Sequence, residues 1–487
     1  MVTIVLNRLE YKNDIAEEIR MFLGNVPLAF FEREEETEDI GGELTVMAHL
    51  SLEEAGLLAI ARARGQESSF VSPKIGEDAL NRKRFEKRAL KIAVFRLLQK
   101  LYCREMPWGS LTGIRPTKLF RDLVEQKGLS GAREDFFNLF DVSEEKIDLA
   151  QRVCDVQLPL IREIRPRDID LYFGIPYCRS RCLYCSFGTE LVKDPSALRR
   201  YVDAMKEEIR YSARIVREAG LSVRASYFGG GTPSILPPEL TAELIAFILR
   251  EYGSLGKECT FEAGRPDTIT AEKLAVLRTF GIDRISINPQ TMHNDTLKRI
   301  GRLHTAEDVE QVFRLARSFG FAHINMDLII GLPGENRKDV AESLNRVLAL
   351  NPENVTVHTL AIKRSSRLKA QLEQYPMVSS EEAEDMVRYG LSACTEQGME
   401  PYYLYRQKYM QGNLENVGYA LPGESCLYNI DIMEELVSIM AHGAGSISKR
   451  VFGDESRIER VPAAKDVPVY MNKLRELEER KRALFLD

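Results

Sequence analysis

LYFGIPYCRSRCLYCSFGTE, residues 171–190, places Cys178, Cys182 and Cys185 in a C-x3-C-x2-C pattern directly after the apolar run Leu171–Ile175. A [4Fe–4S] cluster has four irons and is ordinarily held by four cysteine thiolates. With three cysteines in this short stretch and no fourth following nearby, one iron is left open to a small chelator. S-adenosylmethionine suits that position, because its amino and carboxylate groups can chelate a single iron. The chemistry is then the cofactor's, and the protein's part is to bind and orient it. A zinc site would ask for a second cysteine pair or histidine at ligand spacing, and neither is present. A disulfide framework does not suit a chain of 487 residues with 8 cysteines and no secretory segment. Cys103, Cys154, Cys259, Cys394 and Cys426 are scattered singly and read as small buried hydrophobes.

Composition narrows the class. The chain is 44% hydrophobic and 29% charged, ordinary for a globular protein, and its length predicts two to four domains. A net charge of −6 argues against a nucleic-acid partner, and no apolar run approaches the length of a membrane span. Together with the oxygen-sensitive cluster, these features predict a cytoplasmic protein.

Outward from the cysteines, Asp170 to Leu360 alternates apolar strands with amphipathic helices. The strands read as Leu171–Ile175, Ala225–Phe228, Cys259–Glu262, Arg284–Asn288, Ile324–Ile330 and Val355–Leu360. Helix punctuation separates them: Asp194-Pro195 before a helix ending at Gly220, Thr270 before Ala271–Phe280, and Thr305-x-x-Asp308 before Val309–Phe319. Six β-α units predict a parallel barrel or an open part of one, with chemistry at the carboxyl ends of its strands. Val2–Leu6, Leu28–Phe31 and Leu44–Leu50 read as strands of a smaller α+β unit, and Glu32–Asp39 as a solvated acidic loop. The helix from Asn81 to Cys103 carries Arg82, Lys83, Arg84, Lys87, Arg88 and Lys91, read as a solvated face. A charged helix, Val467–Leu484, closes the chain.

FGGGTP, residues 228–233, lacks the Lys-Ser/Thr of a phosphate loop, but its glycines let backbone approach a ligand closely. Glu262 on the next strand is placed to bind a cationic or hydroxyl group. The cysteine pattern with an aromatic before the last cysteine, then GGGTP, then E-x-G-R-P-D resembles the radical S-adenosylmethionine superfamily. More narrowly it resembles the oxygen-independent coproporphyrinogen-III oxidase family, whose pattern INPQTMH, GRLH and INMDLIIGLPGE continue in order. The likeness is strong over residues 168–365 and weaker through ENVGYALPGESCLYN and HGAGSISK. PWGSLTGIRPTKLF in the N-terminal region resembles the long coproporphyrinogen dehydrogenase variant.

The resemblance implies an α/β fold, an incomplete (β/α)6 radical-SAM barrel with an N-terminal α+β/helical extension and a C-terminal mixed α/β region. The domains expected are 1–75, 76–165, 166–365 and 366–487. Cys178, Cys182 and Cys185 would hold the [4Fe–4S] cluster, and Tyr172, Tyr184, Gly230 and Glu262 the S-adenosylmethionine on it, with Tyr172 given a catalytic role. Gly231, Thr232, Gln290, Arg302, Asp327 and Ala361 match positions that line a second S-adenosylmethionine. The implied reaction is oxidative decarboxylation of coproporphyrinogen III, or a related tetrapyrrole, to protoporphyrinogen IX by a 5′-deoxyadenosyl radical. A flavodoxin or ferredoxin would supply electrons. Phe187 departs from the pattern, since decarboxylating members often carry a fourth cysteine there and heme-chaperone relatives carry phenylalanine. A heme-binding chaperone is therefore the alternative.

The substrate's carboxylates would call for cations, with Arg265, Arg302, Lys363, Arg364 and Arg406 as candidates. The run Tyr402–Tyr409 would either line a flat macrocycle pocket or pack at a seam. His49, His293, His304, His323, His358 and His442 show no ligand spacing and are expected to be structural.

Overall fold

The computed structural model describes residues 1–32, 44–72, 78–113, 115–192, 194–407, 410–453 and 457–486. Most of the acidic stretch 32–39 and both Lys408 and Tyr409 lie outside them. The chain divides into two compact units, Met1–Gln151 and Arg152–Asp487.

In the first unit a five-stranded sheet runs Leu28–Glu32, Val2–Leu6, Leu44–Glu53, Gly56–Ala63, Gln66–Ser72. Ile15, Ile19 and Phe22 of the helix Lys12–Leu23 join Phe95 and Leu98 of the helix Ala79–Tyr102 in its core. The cationic helix face is only partly solvated. Lys87 lies 3.5 Å from Asp14 and Lys91 3.2 Å from Glu18, tying the two helices together, while Arg88 lies over the Phe140 ring. Gly109 in the Pro-Trp-Gly stretch has φ +51°, and a Cβ there would sit 2.0 Å from the Phe140 carbonyl, so the turn demands glycine.

The second unit is built on six parallel strands in sequence order, β1 (Asp168–Ile175), β2 (Ser222–Gly230), β3 (Glu258–Gly264), β4 (Arg284–Ile287), β5 (His323–Ile330) and β6 (Asn354–Thr359). Along them apolar residues such as Leu171/Phe173, Ile324/Met326 and Val355/Val357 alternate with polar ones such as Thr260/Glu262, Asn325/Asp327 and Thr356/His358, so one face of the sheet is apolar and the other polar. The crossovers include α1 (Pro195–Glu218), α2 (Pro238–Tyr252), α3 (Ala271–Thr279), α4 (Ala306–Ser318) and α5 (Arg337–Leu348). The caps fall where the sequence puts them. Asp194 accepts from Ser196 N–H, Thr270 from Lys273 N–H, and Thr305 with Asp308 forms a reciprocal capping box.

The sheet does not close among the described residues. Beyond β6 it continues antiparallel through β8 (Asn416–Ala420) to β7 (Glu400–Tyr405). Beyond β1 it continues through β9 (Ser438–His442), β10 (Ile447–Val451) and β11 (Ile458–Pro462). This is the incomplete (β/α)6 barrel, widened by strands from the C-terminal region. A plug helix, Leu427–Glu434, sits against the amino-terminal strand ends: Leu427 and Tyr428 N–H groups donate to Glu258 at 3.0 and 3.3 Å. No helix among the described residues is long and apolar enough to cross a membrane.

Candidate functional site

The cysteine loop leaves the carboxyl end of β1 and closes on itself, Tyr177–Cys178 pairing in parallel with Glu190–Leu191. Leu183 N–H donates to the Ile300 carbonyl and Leu183 carbonyl accepts from Leu368 N–H, both at 2.9 Å, which pins the loop to two other segments of the rim. The triple glycine lies directly against it. Gly231 N–H donates to Ile175 and Thr232 N–H to Tyr177, at 2.8 and 2.9 Å. A Cβ on Gly231 would fall 2.6 Å from the Tyr177 carbonyl and 3.0 Å from Cys178 Sγ, so only glycine allows this approach. Gly230 has φ +109°, and a Cβ there would fall 3.0 Å from the Ile175 nitrogen.

Cys178 and Cys182 are buried, Cys185 is half-buried, and all three are free thiols. Burial pushes the Cys178 thiol up, opposed by hydrogen bonds from Thr232 (3.4 Å) and Thr189 and by the Arg265 charge. Burial pushes Cys185 up too, and each feels Cys182. Such thiols ionise when a cationic metal group binds them, which is the state a cluster needs. Among the described residues no His, Cys, Asp or Glu group is placed to hold a single metal ion. Three free thiols on one loop at the carboxyl end of β1 are the donor set that a three-thiolate cluster takes.

Above the loop the inward faces of the strands are polar. Tyr227 donates to Glu262 Oε1 at 2.5 Å, and its ring stacks on Tyr428 at 4.6 Å and Tyr172 at 6.4 Å. Burial pushes Glu262 up to about 7, with the Tyr227 hydrogen bond opposing and Asp327 adding to it. Burial also works to raise Asp327, but His358, Asn325 and Thr356 outweigh it and hold the carboxyl below its usual value. Asn325 donates to Asp327 at 2.7 Å, His358 Nε2 lies 3.7 Å away, and the Tyr405 hydroxyl is 3.4 Å from His358 Nδ1.

Gln290 has φ +71°; its N–H donates to the Asp327 carbonyl at 2.9 Å, and its buried Oε1 has no partner. Arg302 donates to the Asn288 carbonyl and the Tyr184 hydroxyl, each at 3.2 Å, leaving buried Nε unpartnered. These orphaned groups suit a ligand that carries both acceptors and donors.

The structure thus brings Cys178, Gly231 and Thr232 together, joins Tyr184 to Arg302 and Gln290 to Asp327, and sets Tyr172 beside the Tyr227–Glu262 pair. Ala361 stands apart, bridged to Met410. Tyr227, Tyr428 and Asn325 belong to the same wall and were not singled out from the sequence, and His358, expected there to be structural, stands in it beside Asp327. A signal existed for two of them. Asn325/Asp327 and Thr356/His358 are polar pairs at i, i+2 in otherwise apolar strands, which marks one face.

Other candidates resolve differently. Arg406 is buried and donates to the Asn413 carbonyl, Lys363 is half-buried and Arg364 exposed. Arg265 is tied to the cysteine loop through the Ser180 carbonyl. Tyr402 and Tyr403 are buried in an apolar cluster with Tyr428, which is packing, and among the described residues of the run only Tyr405 reaches His358. His442 is structural, bonded to the Tyr172 carbonyl at 2.9 Å and Tyr252 at 2.8 Å.

Comparison with known proteins agrees with this geometry. A model of the radical SAM superfamily matches residues 172–347. The oxygen-independent coproporphyrinogen-III oxidase-like protein HemZ of Bacillus subtilis (strain 168) is 39% identical over 85% of this chain and 84% of its own. The heme chaperone HemW of the same organism is 32% identical over 47% of this chain and 64% of its own. Among solved structures, coproporphyrinogen III oxidase (HemN) from Escherichia coli, a radical SAM enzyme, overlays with a TM-score of 0.54 at 22% identity, covering 66% of this chain and 72% of that one. Open barrel and three-cysteine loop together define a protein of the radical SAM class, whose cofactors are a [4Fe–4S] cluster and S-adenosylmethionine. Within that class, the chain belongs to the oxygen-independent coproporphyrinogen-III oxidase-like family.

Proposed function

We propose that the protein is an oxidoreductase of heme biosynthesis that converts coproporphyrinogen III to protoporphyrinogen IX by decarboxylating two propionate side chains. The observation that carries this reading is the 39% identity extending over 84% of an oxidase-like relative, well beyond the barrel. Cys178, Cys182 and Cys185 hold the cluster. When bound to it and reduced, S-adenosylmethionine supplies a 5′-deoxyadenosyl radical.

Tyr172, Tyr184, Gly230 and Glu262 hold that molecule. Gly231, Thr232, Gln290, Arg302, Asp327 and Ala361 offer a second site. Glu262 and Asp327 are carboxylates bonded to no lysine or arginine among the described residues, and Arg302 is a cation bonded to no carboxylate. A sulfonium amino acid carries the complementary charges. The stacked Tyr172, Tyr227 and Tyr428 rings keep water from the reacting centre. Lys363 and Arg364, just after β6, are placed to meet propionates, and a small flavodoxin- or ferredoxin-type protein is the electron donor.

A second reading, a heme chaperone without decarboxylase activity, is favoured by Phe187, which stands 68% exposed where the fourth cysteine would be. The deciding experiment is anaerobic reconstitution with iron and sulfide, then S-adenosylmethionine, dithionite and coproporphyrinogen III, with products read by mass spectrometry. Protoporphyrinogen IX with 5′-deoxyadenosine supports the oxidase. Stoichiometric heme binding with no loss of CO2 from coproporphyrinogen supports the chaperone.

A further inference from the structure

Arg265 follows β3 and is only 3% exposed. Its Nη1 donates at 2.9 Å to the carbonyl of Ser180, midway along the chain between Cys178 and Cys182. Its Nε donates at 3.1 Å to Asp267 Oδ1, and its buried Nη2 has no partner. The Asp267 side chain is 8% exposed and lies 3.6 Å from Nδ1 of His304, and its Oδ2 lies 3.8 Å from Nη1 of Arg179 in the cysteine loop. Burial works against its charge, but His304 and Arg265 outweigh it and hold the carboxyl at about 2, so the carboxylate is anionic at neutral pH. Burial holds the His304 ring on the neutral side. The cysteine loop therefore rests on a buried cation and a buried anion, with the cation the nearer to its backbone.

A single hydrogen bond to Ser180 could come from a neutral donor. A buried ion pair costs more to assemble than a neutral pair of the same shape, and this one leaves an N–H unsatisfied. What a charge adds is a field. Reduction of a cluster adds one negative charge with no bond made or broken, and fixed charges in a poorly screened interior act over several ångströms. Net charge and hydrogen bonding around a cluster set its potential.

We propose that Arg265 and Asp267 are an opposed charge couple that sets the reduction potential of the cluster, Arg265 raising it and Asp267 lowering it. The proposal rests on Cys178, Cys182 and Cys185 holding that cluster. Arg265 is a positioning residue for the loop and an electrostatic one for the iron, not a carboxylate ligand at the barrel mouth.

The test is a redox titration of the reconstituted full-length protein by dithionite, the one-electron source, followed by electron paramagnetic resonance without S-adenosylmethionine or substrate. R265Q, which keeps a donor for Ser180, shifts the midpoint to more negative values. D267N shifts it to more positive values, and R265K stays near the parent protein. A loosened loop would move both neutral variants the same way, so shifts of the same sign, or none in variants carrying full iron and sulfide, overturn the proposal. Should R265Q fail to load, D267N decides alone: a positive shift supports the couple and an unchanged midpoint overturns it. Failure of the underlying cysteine assignment looks different, because the parent protein itself then shows no reducible cluster.

Discussion

At the amino-terminal end of the barrel strands, Arg224 donates to Asp431 at 2.7 Å and Arg284 lies 3.4 Å from Glu258. At the carboxyl-terminal end, Glu262 meets a phenol, Asp327 an amide and an imidazole, and Arg302 a carbonyl and a phenol. The lower pair is fully buried while Glu262 and Asp327 at the upper end are half-buried, and both ends are built on the same strands. At the lower end the plug helix brings Asp431 to Arg224 and its own N-terminus to Glu258, while burial pushes Asp170, whose oxygens find no side-chain partner, well up toward its neutral form. The upper end is left open. Buried charge without a partner is expensive, so it persists where something outside the chain supplies the partner. The contrast separates folding machinery from binding machinery within one barrel.

Replacing Cys178, Cys182 and Cys185 by alanine probes the open end most drastically. The brown colour and iron content should disappear while the circular dichroism of the barrel persists; a triple variant that keeps its full cluster would break the assignment. The paired end should respond in stability instead. Arg224→Ala leaves Asp431 buried and alone, with an expected loss of about 3–5 kcal/mol in urea unfolding of the cluster-free protein. Arg302→Gln removes a buried cation that faces no bonded carboxylate among the described residues. It should cost the cluster-free protein less than about 1 kcal/mol yet weaken S-adenosylmethionine binding, read by calorimetry. Equal destabilisation by the two variants would erase the distinction between the ends.

The core was legible because its signals are local. Strand limits fall within a few residues of those read from apolar runs, and the Thr305–Asp308 and Asp194–Pro195 caps form as written, since a cap needs at most four consecutive residues. The cysteine loop is local as well. What escaped depends on pairings between distant segments. Tyr227 matters because register places β2 beside β3 and its hydroxyl on Glu262. His358 matters because β6 lies beside β5. Arg265 looked like a ligand for substrate carboxylates because sequence gives its charge but not its direction. In the first unit, Gly56–Ala63 and Gln66–Ser72 were passed over as strands, and Lys87 and Lys91 found acidic partners from a helix some seventy residues earlier.

The sharpest reading of the open end comes from pH. Glu262 titrates at about 7 in the fold, against 4.5 when unperturbed, chiefly through burial. A raised carboxyl means that the folded state holds the proton more tightly than the unfolded chain. Below about pH 4.5 both states are protonated and Glu262 costs nothing; as pH rises toward 7 the unfolded chain ionises first and stability falls. Above about pH 8 the penalty is complete, up to roughly 3 kcal/mol. Glu262→Gln keeps an acceptor for Tyr227 and removes the charge. The cluster-free variant should therefore match its parent near pH 4.5, exceed it increasingly toward pH 7, and hold a constant margin above pH 8 in urea unfolding. A margin independent of pH would mean that Glu262 is already paired. Addition of S-adenosylmethionine to the reconstituted protein should shrink the margin, because a sulfonium or ammonium beside Glu262 supplies the partner that the chain withholds.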